Sequence, residues 1–237
     1  MRRVLLRTIL IFSFLFLPIF GMFIERVDSS TLKGGKQKVM EGNIKLPRPK
    51  TTGRMSLEEA IVKRHSVRSF SKKELSGDEI SQLLWAAYGQ RDVDSVTGAS
   101  KTVPSAGALY PMEIYLVSSD GVFHYLPSSH SLEEISDKDL RSSLSHAALW
   151  QGVIAQAAVN FVIACVYDRI CLKYGERGIR YAHIEAGHIA QNIHLQAVCL
   201  GLGSVPIGAF NDTAVQRTLY LPKDNIPLYI IPVGHPE

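Results

Sequence analysis

The run Ala158–Tyr167 constrains this chain of 237 residues most. It is apolar over the length of a strand and reads as a buried central strand. The remaining patterns are arranged around it. Leu57–Arg64 and Asp78–Tyr88 have the spacing of amphipathic helices, and Ser76 with Glu79 forms a capping box at the start of the second. Met112–Ser118 alternates and then runs apolar, and Asp120-Gly121 joins it to Val122–Leu126 as a β-hairpin. Leu132–Gln156 reads as helical in two pieces. Arg180–Leu200 is the longest helix, closed by Gly201. Val205–Phe210, a short helix from Asn211 to Leu219 and a last strand Leu228–Val233 complete the chain. A hairpin first and helices clustered afterwards predict an α+β fold, a mainly antiparallel central sheet surrounded by helices.

The apolar share of 46% and charged share of 20% exclude wholesale disorder. They are averages over unlike parts. Residues 1–24 contain 17 apolar residues, five of the nine phenylalanines among them, behind Arg2, Arg3 and Arg7. A basic start before an apolar stretch reads as a signal peptide or an N-terminal membrane anchor over residues 1–28. The run from Ile9 to Ile24 falls short of the roughly 20 residues of a full span. The protein is therefore expected to be membrane-anchored or exported, with the extracytoplasmic side favoured. Residues 29–54, basic and interrupted by glycine and proline, read as a flexible linker. That leaves 55–237 as the folded domain. Without the three N-terminal arginines, 23 basic residues face 22 acidic ones, and no nucleic-acid footprint remains. Three cysteines are too few for a disulfide scaffold, and Cys165 and Cys199 read as core residues.

The long helix carries His183, Glu185, His188 and His194, which invites a metal reading. Glu185-x-x-His188 has the spacing of di-iron bundles, but it is the single copy in the chain where two are needed. His183 and His194 lie far round the helix from His188. No metal site is expected. Gly201-x-Gly203-x-x-Pro206 lacks the third glycine of a dinucleotide loop and follows a helix where that loop follows a strand.

Three segments make little sense as scaffold alone. In Arg64-His65-Ser66-Val67-Arg68, two arginines flank a hydroxyl, a fork suited to a phosphate. A solvated basic helix end explains it equally well. Pro104-Ser105-Ala106-Gly107-Ala108-Leu109-Tyr110-Pro111 lets backbone approach a flat ligand closely, or is an ordinary loop entering the next strand. Gly201–Gly208 is a glycine-rich turn whose N–H groups could face a ring edge, or a site of close helix–sheet packing.

Together these segments resemble the flavin-dependent nitroreductase superfamily, and most closely its SagB-type dehydrogenase branch, which oxidises azolines in ribosomally made peptides. Met55–Ile61, Leu83–Gly89, Lys173-Tyr174-Gly175 and the stretch Tyr181–Ala197 extend the match over residues 43–236. The resemblance implies a homodimer with FMN at the subunit interface. Arg64, Ser66 and Arg68 would contact the FMN phosphate and ribityl chain, with His65 beside them. Ser105, Ala106 and Gly107 would approach from the partner subunit, and Pro206, Ile207 and Gly208 would lie at the ring, with Gln191 and Asn192 further candidates. Lys173 and Tyr174 match a pair associated with proton abstraction, and a neighbouring ammonium favours the phenolate. Adjacent residues point about 100° apart on a regular helix, so joint action requires a loop or helix end here. Many members continue past the last strand with a basic residue that completes the phosphate clamp. Here Gly234-His235-Pro236-Glu237 follows, so Arg64, Arg68 and backbone donors are expected to hold the phosphate. The substrate is expected to be a peptide azoline or a small molecule, the latter with NAD(P)H as co-substrate. A non-catalytic, membrane-tethered flavin-binding or interaction protein is the alternative.

Overall fold

The computed structural model describes residues 42–237 except 93, 97 and 99. The signal or anchor assignment at 1–28 lies outside the described residues, as does the linker up to residue 41. Among the described residues, no helix is long and apolar enough to cross a membrane.

The run that reads as a central strand is β5 (Val159–Val166), with all eight residues buried. Its neighbours are β2 (Met112–Ser118) and β7 (Asn225–Gly234), both antiparallel to it. Among the described residues the sheet has seven strands in the order β1-β4-β3-β2-β5-β7-β6, every pair antiparallel. β1 is Ile44–Lys45, β3 Gly121–Leu126, β4 Ser131–Ser136 and β6 Gly203–Ser204. The helices are α1 (Leu57–Lys63), α2 (Gly77–Tyr88), α3 (Arg141–Ala147), α4 (Gly152–Gln156), α5 (Asp168–Tyr174), α6 (Arg177–Cys199) and α7 (Asp212–Thr218).

The strand period of two explains why β5 tolerates no solvent-facing side. Phe161, Ile163 and Cys165 point into a core shared with Leu83, Leu84 and Tyr88 of α2 and Ile189 and Ile193 of α6. Val162 and Ala164 point into a second core with Leu144 of α3, Ile154 of α4 and Val215 of α7. Helices therefore cover both faces. Asn160, the polar residue within the run, donates from Nδ2 to Ile154 O and ties α4 to the strand (2.9 Å).

The capping box at α2 forms as expected, with Ser76 and Glu79 each satisfying the other's backbone. Gly201 takes the left-handed conformation that ends α6, at φ 73°. Three expectations fail. Leu132–Ser136 is not helical: Leu132 buries itself by pairing with Tyr125 of β3, and the segment becomes β4. The pattern Leu-Glu-Glu-Ile suits either element, and strand pairing decides. The two helical pieces are α3 and α4 alone. Cys199 is exposed, because α6 ends there, whereas Cys165 is buried. The last part of the expected linker is also part of the domain. Ile44 and Lys45 pair with Leu132 and Ser131, Leu46 is buried, and Lys50 N–H donates to Gln82 Oε1 (2.8 Å).

Candidate active site

Helix α1 starts at Ser56, whose hydroxyl accepts from Glu59 N–H, and ends as Arg64 turns extended. The chain then meets β6. Ser66 forms a parallel bridge with Ser204, and Val67 N–H donates to Ser204 O (3.0 Å). Gly203 permits this approach, since a Cβ there would lie 2.7 Å from Val67 Cβ and Cγ1. The first and third chemistry-bearing segments are thus joined edge to edge. Arg64 and Ser66 are half-buried, and His65 and Arg68 exposed. His65 Nδ1 lies 3.0 Å from Lys63 O. Among the described residues neither arginine is paired with a carboxylate.

Beneath them, His194 of α6 is buried and its Nδ1 lies 2.7 Å from Ser204 Oγ. Burial and the Arg64 charge push its pKa down to about 4, so it is neutral at physiological pH. Among the described residues its Nε2 has no hydrogen-bond partner. In the glycine-rich turn, Pro206 is half-buried and Gly208 exposed. Ile207 differs: its side chain is core, and its N–H and C=O both bond to Ile230 (2.8 and 3.0 Å). Its backbone N–H is therefore already used within the sheet.

The second group forms around the Pro104–Pro111 loop. A short 3-10 turn spans Ala106–Ala108, with Gly107 at φ 62°. Ala108 and Tyr110 also hold positive φ, 54° and 50°, a concentration of backbone strain typical of functional loops. Ser105 Oγ accepts from Tyr110 N–H (2.9 Å), and Tyr110 Oη accepts from Ser100 N–H (2.8 Å). Lys173 and Tyr174 are the last residues of α5, which Gly175 terminates at φ 54°. The helix end lets both side chains face one point. A Cβ on Gly107 would lie 2.7 Å from Tyr174 Oη and 3.0 Å from Lys173 Nζ. The joint action expected of the pair is geometrically available. Helix α5 is tethered by Arg169 to Glu113 of β2 (2.5 Å). Burial would raise the Glu113 carboxyl, but His124 and Arg169 hold it below the usual range.

Strand register fixes where the two groups lie. Met112 pairs with Cys165, and Val166 N–H donates to Pro111 O (2.8 Å), so Gly107, Lys173 and Tyr174 emerge at the C-terminal end of β5. Val159 pairs with Val233, which pairs with Ser204. The Ser66–Ser204 group therefore lies at the other end of β5, roughly 20 Å away for a strand of this length. One chain does not unite them. Asn192 serves neither group: its Nδ2 donates to Ala86 O (3.0 Å) and Thr102 O (3.4 Å). It also lines an open groove of about 1120 Å³ between residues 48–57 and helices α2 and α6. Gln191 is exposed.

Glu185, which in sequence is part of the isolated Glu-x-x-His motif, is 1% exposed beneath the Pro104–Pro111 loop. Tyr88 donates to its Oε1 (3.0 Å). Burial pushes Glu185 up to about 7, against the opposing influence of Ser105, Tyr88 and Lys101. A carboxyl immediately before Ala-Gly on the buried side of a helix is a signal that periodicity alone could have raised. His183 instead pairs with Tyr167 (2.7 Å).

Two outcomes follow from this geometry. Gly107→Ala strains a left-handed position by about 1 kcal/mol and pushes the flexible ends of Lys173 and Tyr174 aside. Melting should fall by only a few degrees, whereas turnover should fall far more. The folded chain keeps the Glu185 proton to a higher pH than the unfolded one. It therefore loses stability as pH rises from the ordinary value of 4.5 to about 7. The loss amounts to about 3 kcal/mol. Denaturant titrations of the wild type and Glu185→Gln across this range should diverge by that amount, with the variant lacking the decline.

The chain matches the nitroreductase family over residues 61–235. It is similar to the protein MJ1384 of Methanocaldococcus jannaschii, 43% identical over 76% of this chain and 91% of that one. The microcin B17-processing protein McbC of Escherichia coli is 30% identical over 68% of this chain and 62% of its own length. Among solved structures, the E. coli microcin synthetase McbBCD complex with truncated pro-MccB17 bound aligns with a TM-score of 0.61. Its identity is 26%, over 91% of this chain and 85% of that one. The chain belongs to the nitroreductase family and is an oxidoreductase.

Proposed function

We propose that the chain is an FMN-dependent oxidoreductase that dehydrogenates a peptide azoline, with Tyr174 receiving the substrate proton. The observation that carries this reading is the meeting of Lys173 Nζ and Tyr174 Oη at Gly107. The missing side chain at Gly107 is what lets a phenol and an ammonium converge on one stretch of loop backbone. They provide a base beside it. Bound FMN would supply the two-electron chemistry, taking up or giving a hydride equivalent. The likeness to a synthetase complex with a bound pro-peptide supports a peptide substrate over a small molecule.

The residues present fit an FMN phosphate. Among the described residues, Arg64 and Arg68, on either side of Ser66 in sequence, are not paired with a carboxylate. The absence of a side chain at Gly203 keeps that segment against β6. Guanidinium groups and a hydroxyl form the charge-assisted bonds that orient a phosphate. His194 below is neutral, so the positive charge offered to the phosphate is that of Arg64 and Arg68.

The separation of the two groups along β5 supports a homodimer. A second copy, related by two-fold symmetry, can bring its Gly107, Lys173 and Tyr174 to the first copy's Arg64–Arg68 fork. Attachment to a membrane or export through residues 1–28 remains part of this reading. The non-catalytic alternative draws no support from membership of an oxidoreductase family.

The test uses the full chain loaded with FMN under anaerobic conditions. A thiazoline-containing peptide should bleach the flavin absorbance in one turnover as it loses two electrons and two hydrogens. Lys173→Ala and Tyr174→Phe should slow this bleaching by about 10²–10⁴-fold, and Arg64→Ala should weaken FMN retention. Bleaching by NAD(P)H but not by the peptide would replace the dehydrogenase reading with a reductase one. A chain that takes up no FMN would end both.

A further inference from the structure

Neither group of the proposed site uses Glu185, although it is the most deeply buried carboxylate among the described residues. Four elements face it. From the end of α2, Tyr88 donates to Oε1, and the same Tyr88 oxygen accepts the N–H of Met112 at the start of β2 (3.2 Å). Ser105, at the entrance of the Pro104–Pro111 loop, favours the charged carboxylate, yet Oε2 has no partner at hydrogen-bonding geometry. Lys101 lies with its Nζ 4.4 Å from the centre of the Tyr88 ring and attracts the carboxylate without forming an ion pair. From β5, Cys165 is near enough for Glu185, after burial, to help push its thiol up. Glu113 of β2 acts on Tyr88 and Lys101.

A buried carboxyl with one free oxygen costs more than the glutamine that would fit the same space. Its contacts, however, sit at both ends of one loop. Ser105 also holds Tyr110 N–H, and Tyr88 holds Met112 N–H, immediately after Pro111. We propose that Glu185 is a positioning residue for the Pro104–Pro111 loop, holding its far end through Tyr88 and Met112 and lying next to Ser105 at its entrance, so that Gly107 stays against Lys173 and Tyr174. The catalytic meaning of the loop rests on the function proposed above; its attachment to Glu185 does not.

Proton linkage gives the inference its signature. Opening the loop brings water to the carboxyl and removes the burial that raises it to about 7. Ionisation therefore favours the open loop, and the closed loop weakens as pH rises.

Hydrogen exchange of residues 103–112 in the full chain without flavin reads this directly. After correction for intrinsic rates, wild-type protection should fall about tenfold between about pH 6 and pH 8.5. Glu185→Gln should hold it flat. Tyr88→Phe removes a donor to the carboxylate and should move the fall to higher pH. Equal pH dependence in wild type and Glu185→Gln overturns the proposal. If that variant does not fold, an unmoved transition in Tyr88→Phe overturns it. A loop that responds as expected in a chain that binds no FMN keeps this inference and ends the flavin reading. FMN binding with a pH-independent loop does the reverse.

Discussion

The packing of β5 between β2 and β7 is the constraint on which the rest depends. Eight consecutive buried residues cannot be satisfied by one core, so helices must cover both faces of the sheet. The register of its two neighbours then decides which loops share an end. Met112 opposite Cys165 sends the Pro104–Pro111 loop and helix α5 out together. Val159 opposite Val233 sends β6, and with it Ser66, out at the other end. A one-residue slip would exchange the two cores and separate Gly107 from Tyr174. The geometry of the chemistry is thus a consequence of strand pairing.

Much of this was legible in the residues. The apolar run at 158–167, the Ser76/Glu79 box and Gly201 are local signals with local physical causes, and the structure honours each. The Lys173-Tyr174-Gly175 triplet implied a helix end, and Gly175 supplies one. Other features depend on partners distant in sequence. Leu132–Ser136 becomes a strand because β3 offers a partner, and Leu46 is buried because β1 joins the same edge. No pattern within either segment contains that information. The pairing of Ile207 with Ile230 likewise joins segments far apart in sequence.

The buried polar groups were hardest to read. Glu185 and His194 lie on one helix and look alike as helix-borne titratable residues. Their environments drive them toward the same electrical state by different routes. Burial keeps the Glu185 proton on to about pH 7, while burial and Arg64 keep a proton off His194. Near neutrality His194 is uncharged, whereas Glu185 is in the middle of its titration. The phosphate fork therefore sits beside a neutral imidazole, and the Pro104–Pro111 loop rests on an acid that changes charge near neutral pH.

The central claim is that the working site joins the Arg64–Arg68 fork of one copy to the Lys173–Tyr174 pair of another. Subunit complementation tests it most directly. Full-length Arg64→Ala and Tyr174→Phe proteins are each assayed alone and after subunit exchange. A mixed dimer would contain one site with both residues intact, so a random mixture should regain about a quarter of wild-type turnover. A mixture no more active than the average of the two variants would place both residues in the same copy's site and contradict the account.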